Sequence, residues 1–382
     1  MKKGRKALRG LYIHIPFCVQ KCRYCDFVSF PGREAVFDDY ISALSREAEE
    51  YRGQEIDTVF IGGGTPSVLM AKQLDRLFCM VNSTFKIKNG AEFSIEVNPG
   101  TVNAEKIAAI KNGGVNRVSI GVQSFNDAEL QAIGRIHSAA EAKNAVLDFY
   151  NAGFLNISID IMTSLPKQTK ESLMGTLKIA VELPVKHISA YSLILEEGTP
   201  IYADYKNGVF TPLSEDADRD MFAAAVKYLH ENGFSRYEIS NFAKDGYESC
   251  HNKKYWECRE YIGIGLAAHS YMDKKRFYNT SELNKYLRGE FHCGDVVCLT
   301  KADMISEFMM MGLRMTRGVS ECEFYDRFGK DIMSVYHAQI ERFINSGCMV
   351  YKDGHCFLTD RGMDVSNSVM CEFILTENDD CF

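Results

Sequence analysis

The sequence predicts an α/β fold: an open partial barrel of six βα units, then extra β/α elements, then a small winged-helix-like domain at the C-terminal end. Three features lead there. Short apolar or β-branched runs alternate with amphipathic stretches up to about residue 200, a pattern that argues βα units and a parallel sheet. Polar residues gather at the carboxyl ends of those runs, where functional groups of such sheets collect. From about Leu299 the pattern changes to helices followed by a hairpin.

The six strand-like runs are Leu11–Ile15, Thr58–Ile61, Phe93–Val97, Arg117–Gly121, Ile157–Ile161 and His187–Leu193. In the first connecting segment Ile41, Leu44, Ala48 and Tyr51 form one apolar stripe at helical spacing. Six units fall short of a closed eight-stranded barrel, so the barrel is expected to stay open. Each run ends in polar residues or glycines: the Cys18–Cys25 loop, Gly62-Gly63-Gly64-Thr65-Pro66, Glu96 with Asn98, Gln123 with Ser124, Asp160, and Tyr191 with Ser192. Six clusters on one rim imply a single shared site. These units make up an expected domain over 1–210. A second segment, 211–298, opens with a helix over Asp216–Glu231 and carries Tyr237–Ala243 and a His-, Tyr- and Trp-containing stretch. The third, 299–382, holds two or three helices, then Cys348–Tyr351, a turn at Asp353-Gly354 and His355–Leu358.

The 382 residues are 46% hydrophobic and 25% charged, enough to bury a large core. Lys and Arg total 44 against 51 Asp and Glu. That acidic balance argues against nucleic acid as a partner, and against a DNA-binding regulator built on the C-terminal module. The basic start runs straight into Leu11–Ile15 without a signal-peptide h-region. No apolar run approaches the ~18 residues of a membrane span, so the chain reads as cytoplasmic. Thirteen cysteines without a secretion signal read as reduced thiols. Cys79, Cys322, Cys348, Cys356 and Cys371 sit singly among apolar residues and read as small buried hydrophobes.

Cys18, Cys22 and Cys25 form Cys-x3-Cys-x2-Cys in a loop directly after the first strand. Three thiolates suit three irons of a [4Fe–4S] cubane and leave the fourth open to a small ligand. The alternative is a zinc site completed by His14. It is the weaker one, because structural zinc commonly uses two separated Cys-x2-Cys halves and only one is present here. The Gly62–Gly64 run, one unit later, lets backbone approach a ligand closely. An auxiliary cluster on Cys250, Cys258, Cys293 and Cys298 has no spacing to recommend it.

Together these residues resemble the radical S-adenosylmethionine (SAM) superfamily, and within it the branch holding oxygen-independent coproporphyrinogen III oxidases and HemW heme chaperones. The resemblance spans nearly the whole chain. It rests on Tyr12-Ile-His-Ile-Pro-Phe-Cys18, Gly62–Pro66, Glu96-Val-Asn-Pro-Gly100, Ser119–Asn126, Gly134-Arg-Ile-His137 and Tyr237–Ala243. It implies a radical SAM barrel, with SAM chelating the open iron. Gly63, Gly64 and Thr65 would line its methionine end, Glu96, Gln123, Arg135 and Asp160 would make polar contacts to it, and Tyr12 would lie beside the cluster. Independently of the family, SAM's ribose hydroxyls, amine and carboxylate need acceptors and a cation in a dry site. The resemblance also implies one-electron cleavage of SAM to a 5′-deoxyadenosyl radical, chemistry that belongs to the cofactor.

Two departures separate the chain from the oxidases. Phe27 stands where they continue with a fourth cysteine, and only 17 residues precede Cys18, fewer than in their longer leading segment. Cys250-His251-Asn252-Lys-Lys-Tyr255-Trp256 resembles the His-Asn-x-x-Tyr-Trp signature of the HemW chaperones. Imidazole is a common axial ligand of heme iron, and two aromatic rings could pack on a porphyrin. His251 is therefore the expected heme ligand, against the simpler reading of a hydrogen-bonded structural histidine. No Cys-x-x-Cys-His motif is present for covalent attachment. The reading is a heme chaperone holding [4Fe–4S], SAM and heme; its other partners are an electron donor and a heme acceptor protein, soluble or membrane-bound. The alternative is an oxygen-independent coproporphyrinogen III oxidase.

Overall fold

The computed structural model describes residues 8–375. Its first strand, β1 (Arg9–Ile15), leads through the cysteine loop to helix α1 (Phe37–Glu49). Strands β2 (Glu55–Gly63), β3 (Lys86–Val97), β4 (Arg117–Gln123), β5 (Asn156–Thr163) and β6 (His187–Ser192) follow, each reached by a helical crossover: α1, then α2 (Ala71–Thr84), α3 (Ala104–Asn112), the pair α4 (Asp127–Ala132) and α5 (Ala139–Asn151), and α6 (Lys170–Glu182). The six lie parallel and in sequence order, each paired with the next.

Side chains alternate along these strands with the period of two that a pleated strand imposes. Leu11, Ile13, Val59, Ile61, Phe93, Ile95, Val118, Ile120, Ile157, Ile159 and Ile188 are buried against the helices. The intervening positions, among them Tyr12, Thr58, Ser94, Glu96, Arg117, Ser119, Ser158, Asp160, His187 and Tyr191, face the barrel interior. A closed barrel would fill that interior with apolar side chains. This one keeps it polar, so the interior is a place for a ligand rather than a core. On α1 the stripe of Ile41, Leu44 and Ala48 is buried as expected, with Tyr51 buried in the turn beyond.

The sheet is larger than the six expected strands. A seventh parallel strand pairs with the outer side of β1, and antiparallel strands extend both ends to twelve in all among the described residues. Past β6 come α7 (Pro200–Lys206) and α8 (Glu215–Glu231), then β7 (Ser235–Arg236) and β8 (Asn241–Ala243); β8 pairs with β6, and β7 with the outer side of β8. Helix α9 (Cys250–Trp256) precedes the seventh parallel strand, β9 (Tyr261–Ile264), and β10 (His269–Met272), β11 (Lys275–Asn279) and β12 (His292–Cys298) close that side. The buried carboxylate of Glu47 on α1 holds this extension, accepting from Gly265 N (2.9 Å), Asn279 Nδ2 (2.5 Å) and the Tyr286 hydroxyl. Burial pushes its pKa up to about 7.

Residues from 299 onward build a separate core around Ile305, Phe308, Phe324, Ile340, Leu358 and Phe373. Three helices over Lys301–Gly312, Glu321–Phe328 and Ile332–Asn345 precede the Met349–Lys352 and His355–Leu358 hairpin. A two-residue strand, Val319–Ser320, adds a third edge. The Tyr237–Ala243 motif is the joint to this unit. Glu238, fully buried, accepts from Ser240 N and Asn241 Nδ2 and pairs with Arg314, whose guanidinium lies 4.2 Å from the Trp256 ring centroid.

The cysteines outside the loop divide differently from expectation. Cys348 and Cys356 are buried, but Cys79, Cys322 and Cys371 are exposed. On its helix Cys79 falls off the Leu74, Leu77, Phe78 and Val81 face that packs inward. Among the described residues no helix is long and apolar enough to cross a membrane.

Candidate functional site

At the carboxyl ends of β1 to β6 one cavity opens, lined by Cys18, Cys22, Cys25, Gly63, Gly64, Thr65, Glu96, Gln123, Arg135 and Asp160. Ten of the residues singled out from the sequence thus share one cavity. The cysteine loop is shaped by backbone bonds that do not involve sulfur: Arg23 N to Ile133 O (3.1 Å), Cys25 N to Cys22 O (3.3 Å) and Ile201 N to Arg23 O (3.0 Å). Two of the sulfurs accept hydrogen bonds, Cys18 from Thr65 Oγ1 (3.5 Å) and Cys22 from Arg135 Nη1 (3.4 Å). Such donors to ligand sulfur are one of a protein's levers on cluster potential. Burial raises the Cys18 and Cys25 thiols above the ordinary range, so a cation is needed to hold them as thiolates.

The glycine run is required by close approach. A Cβ on Gly63, whose φ is +109°, would stand 2.5 Å from the His14 ring, and one on Gly64 would stand 2.7 Å from Phe17 O. Gly64 N and Thr65 N donate to Ile15 O and Phe17 O, which binds this turn to the root of the cysteine loop. Gly63 N donates to Glu96 Oε2 (3.0 Å). A register shift in β4 between Gly121 and Gln123 puts Gln123 at φ +66° and turns its side chain toward Tyr191, whose hydroxyl donates to it at 3.3 Å. Such bulges re-aim side chains beside functional sites.

Two carboxylates face each other across the interior. Burial, reinforced by the charge of Asp160, pushes the Glu96 carboxyl up to about 8, while Gly63 N–H and Arg117 oppose the rise. Burial also raises Asp160. Two buried acids, both raised and lining one cavity, suit a site that takes a cationic ligand. Arg135 donates to Asn98 Oδ1 (3.2 Å) and to Gly121 O, yet its buried Nε has no partner. Three thiols, two carboxyls, an orphaned guanidinium N–H and a glycine cradle fit a cluster carrying a small zwitterionic cation. A single zinc ion suits the site less well: His14 spends Nδ1 on the Tyr12 hydroxyl (3.0 Å) and Nε2 on Val28 O (3.1 Å).

Two of the expected residues lie apart from this cavity. Tyr12 does not line the cavity; it lies below it, holding His14 and stacking 6.3 Å from Phe60. His251 is not open to heme iron. It is 1% exposed, with Nδ1 on Thr58 Oγ1 (2.9 Å), Nε2 on the Tyr255 hydroxyl (2.9 Å) and its ring stacked on Phe60. Both ring nitrogens are engaged, Nδ1 in holding the helix to the barrel, and burial drives its pKa down to about 3. Tyr255 and Trp256 are likewise committed, to Tyr261 and Arg314. Helix α9 closes the amino end of the barrel, with Glu92 on β3 accepting from the N–H groups of Cys250 and His251 (2.9 Å each). Sequence reasoning passed over Tyr24 and Ser119, which also line the cavity. Tyr24 had a signal, since it sits inside the cysteine motif.

Phe27 is 63% exposed and lines the cavity beside the cysteines.

Comparison with known proteins agrees with this geometry. Residues 12–180 match the Radical SAM superfamily and residues 299–365 the HemN C-terminal domain. The Escherichia coli coproporphyrinogen III oxidase HemN, a radical SAM enzyme, has the same fold, with a TM-score of 0.84 over 96% of this chain and 90% of that one, at 22% identity. Proteins named heme chaperone HemW are closer in sequence. Those of Lactococcus lactis and Bacillus subtilis are 37% and 35% identical, across 96% of this chain and 97% and 99% of theirs. The Escherichia coli HemW is 34% identical over 96% of this chain and 98% of its own. With the cysteine loop, the glycine cradle and the C-terminal unit all in place, the chain belongs to the HemW heme chaperone family of radical SAM proteins.

Proposed function

We propose that this protein is a cytoplasmic heme chaperone: it holds a [4Fe–4S] cluster on Cys18, Cys22 and Cys25 with SAM at the fourth iron, binds heme, and passes it to an acceptor protein, soluble or membrane-bound. The observation that carries the reading is identity of 34–37% along 96% of the chain to proteins named as heme chaperones. Phe27 supports it, because an apolar ring stands at the cavity where the oxidases carry a further cysteine. The cluster and SAM supply one-electron chemistry when bound. The chain's own groups position and shield. Gly63 and Gly64 admit the methionine end, Arg135 offers its free Nε–H to a carboxylate, and Glu96 and Asp160 accept from the ammonium and ribose hydroxyls. Thr65 donates to the Cys18 sulfur. His251, with both ring nitrogens taken, serves by fixing α9.

Heme titration of the anaerobically reconstituted protein tests the reading. Saturable binding with a defined Soret band is expected; a titration indistinguishable from free heme would defeat it. The SAM part has its own signature. Burial and the charge of Asp160 push the Glu96 carboxyl up to about 8, and a bound cation favours its ionised form, so binding releases a proton. SAM affinity should therefore climb as pH rises toward about 8, by up to about tenfold per unit, and level off above it. Glu96→Gln should flatten that climb. Equilibrium dialysis across pH 6 to 9.5 measures both, and a parent profile without slope would count against Glu96.

A further inference from the structure

Beneath the cavity lies a row of buried polar groups that neither the cluster nor SAM uses. Ser94, Arg117 and Asn156 stand opposite one another in register across β3, β4 and β5, on the interior face. Each keeps a buried atom without a partner: Ser94 Oγ, Arg117 Nε and Asn156 Oδ1. Arg117 is 2% exposed and is among the largest fully buried side chains. It forms no ion pair among the described residues. A guanidinium stripped of water is expensive unless its charge acts on something nearby.

The same interior face shows what it acts on. Glu92, toward the amino end, is taken by the two N–H groups of α9. His187 and His251 are held neutral by burial. Toward the carboxyl end stand Glu96 and Asp160, and the charge of Arg117 opposes the desolvation of both. The other ionisable groups that face Glu96 are Tyr12 on β1, Asp160 on β5, Tyr191 on β6 and Tyr255 on α9, all three tyrosines kept protonated by burial. Arg135 acts on Asp160 from the opposite wall. Arg117 is thus the cation nearest in effect to Glu96.

We propose that Arg117 is a positioning residue for SAM: its uncommitted, buried guanidinium favours the ionised forms of Glu96 and Asp160 that accept the cationic ligand. This rests on the SAM reading above. The polar row around it, with an orphaned donor between orphaned acceptors, gives ordered water the two or more partners it needs to relay that charge upward.

The test is SAM binding by equilibrium dialysis against pH on reconstituted holoprotein, with iron content and thermal melts beside it. Arg117→Met should move the inflection to higher pH by about one unit and weaken SAM roughly tenfold at pH 7, with iron unchanged. Asn156→Asp keeps the arginine but sets a carboxylate beside it, and should shift the profile in the same direction even if Arg117→Met does not fold. A lower melt with an unshifted profile in the variants that fold would overturn the inference, because a merely structural arginine moves only the melt. If Glu96→Gln flattens the profile while neither of the other variants shifts it, the inference about Arg117 fails alone. If Glu96→Gln binds SAM as the parent does at every pH, the reading of Glu96 as a SAM contact fails first, and the inference with it.

Discussion

Replacing Cys18, Cys22 and Cys25 together with serine is expected to remove essentially all cluster iron while leaving the fold in place. The first half follows from the donor set, since serine hydroxyls do not substitute for thiolates toward iron under reconstitution. The second follows from how the loop is held. Its backbone bonds to Ile133, to Ile201 and within Cys22–Cys25 do not use sulfur, and the barrel core of Leu11, Ile13, Val59 and Ile95 lies on the other face of the strands. Iron analysis and visible absorbance, read beside circular dichroism, decide the matter. A folded triple variant that keeps its full iron complement after reconstitution would remove the cluster from this loop.

The second large effect is on stability. His251→Ala deletes a ring stacked on Phe60, 5.4 Å between centroids, and strands its two partners, Thr58 Oγ1 and the Tyr255 hydroxyl. A cavity together with orphaned buried polar groups costs roughly 2–4 kcal/mol. The melt should drop clearly, whereas heme titrations of the surviving folded protein should stay close to the parent. The opposite pattern, an unchanged melt with a displaced Soret band, would restore His251 as an iron ligand and require α9 to open when heme binds.

His251 also shows where sequence stops informing. An imidazole beside aromatic residues suits a heme pocket and a packed helix equally well, and residue type alone does not choose. The four-residue spacing from His251 to Tyr255 does carry a hint, since such pairs meet on a helix, and here Nε2 meets the tyrosine hydroxyl. The first six strands were legible because each is a β-branched run with a helix-length gap after it. The seventh, Tyr261–Ile264, was not: four residues with a central glycine follow a seven-residue helix, too short for a period to show. Most of the cavity was legible because its residues end successive strands, and a parallel sheet brings such ends to one rim. Arg117 was not, because an arginine opening a strand looks solvated until the crossing strands bury it. Tyr12 was placed by family likeness, and its strand sets it one level too low to line the cavity.

Central to the account is heme handling in place of porphyrinogen oxidation, and one experiment addresses it directly. Anaerobically reconstituted protein, loaded with SAM and supplied with a reductant, is divided between two assays: transfer of bound heme to an apo-hemoprotein, and chromatography of products from coproporphyrinogen III. The account predicts heme appearing on the acceptor faster than from free heme controls, with coproporphyrinogen III recovered unchanged. Protoporphyrinogen IX accumulating over many turnovers, with no heme delivered, would contradict it and return the chain to the oxidases despite Phe27.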